Sequence, residues 1–98
     1  MTDDEKVRML LGKPELLTQL AEECNELAHA ALKLRRAMTG VNPTPVSEED
    51  AWAALIEEIA DVFVSLDALG IQTDEYEEQV CRIWDEKMCR WAKRLEDR

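Results

Sequence analysis

Three acids fall within five residues of "LAEECNELAHAALKLRR" (residues 20–36): Glu22, Glu23 and Glu26. A second group, Glu57, Glu58 and Asp61, stands in "ALIEEIADVFVSLDAL" (residues 54–69). Residues three apart on a helix lie roughly 60° apart around its axis and about 4.5 Å along it. Glu23 with Glu26, and Glu58 with Asp61, therefore project as two side-by-side carboxylate pairs. If neighbouring antiparallel helices bring the pairs together, four like charges in one small space cannot all stay ionised without cations. An all-oxygen ligand set suits a hard divalent ion, Mg²⁺ first, with Mn²⁺ as an alternative. One histidine, His29, and three cysteines in no metal-finger spacing argue against a zinc site. A single acidic pair is ordinarily a solvated helix face. Here both pairs flank apolar residues, Leu27 and Ile59, and the same spacing recurs on two helices.

The elements that must position these acids are helical. Gly12 and Pro14 close a short N-terminal turn and open a helix predicted over about Pro14 to Met38, Pro being tolerated in a first turn. Its expected apolar seam is Leu20, Cys24, Leu27, Ala31, Leu34 and Met38, in steps of four and three. "TGVNPTPV" interrupts it with Gly40, Pro43 and Pro45. Ser47, followed by Glu48, Glu49 and Asp50, reads as an N-cap with acids at the positive end of the helix dipole. The second long helix is predicted over about Glu48 to Leu69, with a seam of Trp52, Leu55, Ile59, Val62, Leu66 and Leu69. Ile56, Ala60, Phe63 and Val64 give it a second apolar surface. Gly70 stops it, and Thr73 caps a third helix carrying Val80, Ile83, Trp84, Met88, Trp91 and Leu95. The expected fold is all-α, a bundle of three long helices plus a possible short N-terminal helix over residues 3 to 11, forming a single domain over residues 1–98.

Net charge −10 argues against a nucleic-acid polymer or an anionic membrane as partner, since both demand a basic surface. Hydrophobic residues at 46% with 35% charged residues describe a chain that folds. The N-terminal "MTDDEKVRMLLGK" lacks the long apolar core of a signal peptide or anchor, so a cytoplasmic location is expected. Cys24, Cys81 and Cys89 are expected as small buried or semi-buried thiols in a reducing compartment. A helix apolar on two sides needs more than one neighbour. A homodimer or homotetramer is expected, with symmetric pairing of the second long helix as the simplest form and cover by the N-terminal helix as the alternative.

The pattern E-E-x-x-E on one helix and E-x-x-D on the next, here "EECNEL" and "EEIADV", resembles the MazG-like all-α nucleoside triphosphate pyrophosphohydrolases, relatives of the dimeric dUTPases and phosphoribosyl-ATP pyrophosphohydrolases. The resemblance covers roughly residues 16 to 95. It implies Glu23, Glu26, Glu58 and Asp61 as Mg²⁺ ligands and Glu22 as a supporting or water-activating acid. The activity it implies is hydrolysis of a nucleoside triphosphate to its monophosphate and pyrophosphate. "DEKMCRWAKR" matches the family's basic C-terminal helix through Lys87, Met88 and Arg94, while Trp91 stands where relatives often carry Asn. Lys87, Arg90 and Arg94 are expected to contact phosphates, Lys87 with a catalytic part, and Trp52 is a candidate platform for the base. His29, one turn beyond Glu26, could reach a substrate edge. Two alternatives remain: a phosphoribosyl-ATP pyrophosphohydrolase-like enzyme, and a non-enzymatic helical dimerisation module.

Overall fold

A computed structural model describes residues 1–71 and 73–98. It is all-helical among the described residues, in four elements: α1 Asp3–Leu11, α2 Lys13–Thr39, α3 Glu48–Leu69 and α4 Asp74–Glu96. The short N-terminal helix is therefore present. Local chemistry explains the boundaries. Gly12, at φ 81°, breaks α1 from α2 while Pro14 occupies the first turn of α2. Gly40 ends α2 in the left-handed conformation that glycine adopts without a Cβ clash. The Ser47 hydroxyl accepts from the Asp50 amide at 3.1 Å, satisfying one of the unpaired donors at the start of α3.

α2 and α3 form an antiparallel hairpin, which carries most of the packing; α1 touches both. Leu16 at the start of α2 meets Ala68 and Leu69 at the end of α3, with Leu20 and Ile71 alongside. Arg8 fastens α1 to that end: its Nε donates to the Ala68 carbonyl at 2.9 Å and its Nη2 to the Asp67 carbonyl at 3.1 Å. These carbonyls lie in the last turn of α3, where a cation complements the helix dipole. Asp4 holds the same guanidinium at 3.2 Å.

The seam differs from the expected one in phase. Along α2 the buried or half-buried residues are Leu16, Leu20, Glu23, Leu27, Ala30, Leu34 and Ala37, whereas Cys24, Ala31 and Met38 are exposed. Along α3 they include Ala51, Leu55, Glu58, Val62, Ser65 and Leu69, whereas Trp52 and Ile59 face outward. Both series step by four and three. Each places a glutamate where an apolar residue was expected, and small residues (Ala30, Ala37, Ala51, Ser65) let the two backbones approach. The cysteines correct a second expectation, since Cys24, Cys81 and Cys89 are all exposed.

α4 packs against none of the other helices among the described residues, and none of its described residues is buried. The chain is accordingly open. Its radius of gyration is 17.1 Å, against about 13 Å for a compact domain of this length. α1 covers only the end of α3 and leaves Ile56, 62% exposed, and Phe63, 55% exposed, uncovered.

Candidate metal centre and adjoining cleft

The phase of the seam turns the two acidic motifs toward each other. Glu23, Glu26 and Glu58 each offer a carboxylate oxygen within 4.8 Å of the others. Glu23 and Glu58 are half-buried in the hairpin and Glu26 lies at its exposed edge. Asp61 is half-buried one turn beyond Glu58, outside that three-way cluster, and its backbone carbonyl accepts from the Ser65 hydroxyl at 3.1 Å. Glu22 is exposed and stands outside the cluster.

The electrostatics follow from the geometry. Partial burial raises the Glu58 carboxyl above its ordinary value of 4.5, and the negative charges of Glu26, Asp61 and Glu23 raise it further. Asp61 therefore acts on Glu58 through space although it lies outside the tight cluster. Glu23 Oε1 accepts from the Gln19 side-chain amide at 2.7 Å. Glu23 Oε2 and Glu58 Oε2 are shielded from solvent and have no hydrogen-bond partner among the described residues. Shielded acceptors without a donor, clustered with a third carboxylate, fit a hard cation, which takes oxygen ligands and completes its coordination with water.

Next to the acids lies an open cleft of about 380 Å³ lined by Glu26, His29, Ala30, Leu32, Lys33, Arg36, Ala54 and Glu58. Lys33 and Arg36 were not anticipated from sequence. The signal was available: both continue the face of α2 that holds Glu26, in steps of three or four through Ala30. His29 lines the cleft, in keeping with its position one turn past Glu26.

The other expected substrate contacts fall elsewhere. Lys87, Arg90 and Arg94 do come together, around Trp91 on one face of α4. Among the described residues α4 packs against none of α1 to α3, and no contact joins this basic face to the acid cluster. Trp52 is 46% exposed near the start of α3 and does not line the cleft.

Comparison with family models finds no match for this chain, and neither do comparisons with curated proteins and with solved structures. No helix among the described residues is long and apolar enough to cross a membrane.

Proposed function

We propose that this chain is a MazG-like, Mg²⁺-dependent nucleoside triphosphate pyrophosphohydrolase that acts as a homo-oligomer. The observation that carries this reading is the pair of glutamates, Glu23 and Glu58, standing at seam positions of two packed helices with shielded, unpartnered oxygens. Carboxylates seated against one another oppose folding unless something compensates them. A helix pair built only for packing would carry Leu or Ala there.

Glu23, Glu26 and Glu58, with Asp61 beside them, are the residues that would hold the cation. When bound, Mg²⁺ or Mn²⁺ supplies charge neutralisation for phosphate oxygens and activation of the hydrolytic water. Gln19 orients Glu23 by donating to its other oxygen. Lys33 and Arg36 stand in the same cleft as Glu26 and Glu58, where they can donate charge-assisted hydrogen bonds to the far side of a triphosphate. Glu22, adjacent in sequence and solvent-exposed, takes the proton of the attacking water. The α–β anhydride bond then breaks, leaving monophosphate and pyrophosphate. Lys87, Arg90 and Arg94 join the site only through association of chains.

A panel of nucleoside triphosphates incubated with Mg²⁺ and scored for pyrophosphate tests this reading. Release that stops on chelation is expected. No release from any member, together with no effect of Mg²⁺ on the melting temperature, overturns it in favour of a non-enzymatic helical module.

A further inference from the structure

Two apolar surfaces of this chain lack a partner. On α3, Trp52, Ile56, Ile59 and Phe63 repeat in steps of four, three and four, the spacing of a packing seam, and all are exposed. On α4, Val80, Ile83, Trp84, Met88, Trp91 and Leu95 are likewise exposed. A helix of 23 residues draws most of its stability in water from packing an amphipathic face. Among the described residues α4 packs on no other helix and buries none of its own, only Glu77 and Val80 in its first turns bordering a cleft with Phe63 and Leu66 of α3. The surface area states the size of the deficit. The chain exposes 7965 Å², whereas a compact monomer of this size exposes about 5,700 Å². Covering that excess on two chains would bury on the order of 4,000 Å², within the range of about 2,000–5,000 Å² typical of obligate dimers.

Charge selects the occupant. α3 carries seven acidic residues and no lysine or arginine. α4 as a whole carries five basic residues against seven acidic ones, but its acids crowd the first turns, and the stretch from residue 79 to 95 carries all five basic residues against two acidic ones. Two α3 faces brought together would add repulsion between their acids. The residue 79–95 stretch of α4 laid along an α3 sets basic residues beside acids and apolar stripe against apolar stripe, a less repulsive pairing than α3 with α3.

We infer that α4 is an exchanged arm: it docks on the Trp52–Ile56–Ile59–Phe63 face of α3 in a second copy of this chain, whose own α4 returns the contact. This differs from symmetric pairing of α3 with α3. It stands whether or not the chain is a hydrolase.

The test is sedimentation of the full chain at micromolar concentration, alone and as two variants, with helicity followed by circular dichroism. Wild type is expected to sediment as a dimer or a multiple of one. Phe63→Glu on α3 and Met88→Glu on α4 are each expected to shift it toward monomer, with the helicity of α1 to α3 kept and that of the undocked α4 reduced. Mixing the two variants is expected to restore dimers, because a mixed pair retains one wholly wild-type contact, Met88 from one chain and Phe63 from the other. Trp84→Glu provides a second α4 variant should Met88→Glu lose its fold. Monomeric wild type overturns the inference, as does assembly indifferent to Phe63→Glu, which would mean α4 pairing with α4. Failure of the mixture to reassociate overturns the reciprocal exchange.

Discussion

The inner and outer faces of α3 invert the usual distribution of side chains. Facing α2, where apolar residues belong, stand Glu58 and Ser65, the first opposed by Glu23 and Glu26. Facing outward, where charge belongs, stand Trp52, Ile56, Ile59 and Phe63. Large aromatic and branched side chains left in water forfeit roughly 1.5–3 kcal/mol each relative to burial, and carboxylates pressed together cost stability as well. A chain carrying both departures makes physical sense when each face awaits something: a cation on the inner side, a protein surface on the outer. Natural sequences break local rules where function needs it, and one helix of this chain breaks them on two sides.

The largest effect is expected where the inner face is discharged. Glu58→Gln keeps the shape of the side chain and removes one carboxylate charge. Pyrophosphate release should fall by about a hundredfold or more, since even outer-shell partners of a metal cost about 10–100-fold, while the helical circular dichroism spectrum stays unchanged. Wild-type turnover in this variant would take Glu58 out of the ligand set. Glu23→Gln, Glu26→Gln and Asp61→Asn should follow it. Glu22→Gln should slow turnover more than it weakens Mg²⁺ binding, and equal loss of both would make Glu22 a direct ligand.

Next comes the cation itself. An ion bound only by the native state at a hundredfold excess over its Kd stabilises by about 2.7 kcal/mol, or on the order of 10 °C in Tm for a domain of this size. The pH dependence of the metal-free chain sharpens the same point. Glu58 has a raised folded pKa, so the native state holds its proton more tightly than the unfolded state does. Its contribution to stability is present below the ordinary value of 4.5 and is lost as pH rises through the folded pKa. Melting temperature without metal should therefore decline over that window, and Glu58→Gln should flatten the decline. A metal-free chain that grows more stable over the same window because of Glu58 would contradict the crowding of the inner face.

A smaller effect is expected in the cleft. Lys33→Ala and Arg36→Ala each remove one charge-assisted donor, worth about 1.5–3 kcal/mol where desolvated and less in this open cleft. KM for a nucleoside triphosphate should rise about tenfold, with Mg²⁺ stabilisation of the free protein intact. If KM does not move, the phosphates lie elsewhere, and Lys87, Arg90 and Arg94 of the partner's arm become the donors to test.

Much of this architecture could be read from residue order. The bounds of α3, Glu48–Leu69, follow from Ser47, the three acids after it and Gly70; those of α2 differ by one residue at each end from the predicted ones. The pairing of "EECNEL" with "EEIADV" was legible as well, because the E-x-x-[ED] spacing puts both acids of each motif on one side of a helix. The phase of the seam was not. An apolar residue directly follows each acid, Cys24 after Glu23 and Ile59 after Glu58, and a periodicity of four and three fits either choice. The rule that apolar side chains go inside selects the wrong one here. On α3 side-chain size favours the observed choice, since Ala51 turns inward in place of Trp52, whereas on α2 Ala30 and Ala31 are equally small and size does not discriminate. The separation of α4 was equally invisible, because an amphipathic helix reads the same whether its partner lies in its own chain or in another.

The smallest expected effect lies at the C-terminal end of α3, beyond the acids, where α1 clamps the inner seam. Arg8 donates to the Ala68 and Asp67 carbonyls there, and a Cβ added at Gly70 would stand 3.0 Å from the Arg8 guanidinium carbon in a backbone region, φ 79°, that L-residues rarely adopt. Arg8→Ala should cost about 1 kcal/mol, since these hydrogen bonds are only partly shielded from water, and lower Tm by about 4–8 °C at fixed protein concentration. Gly70→Ala should cost a similar amount through its backbone. The double variant should cost less than the sum, because the Cβ at residue 70 would no longer meet the guanidinium. Neither change touches the carboxylates or the outer apolar face, so Mg²⁺ stabilisation and sedimentation should both stay as in wild type. A loss of assembly with Arg8→Ala would mean that α1 sets the direction in which α4 leaves α3, and that the two faces are coupled through this end of the hairpin.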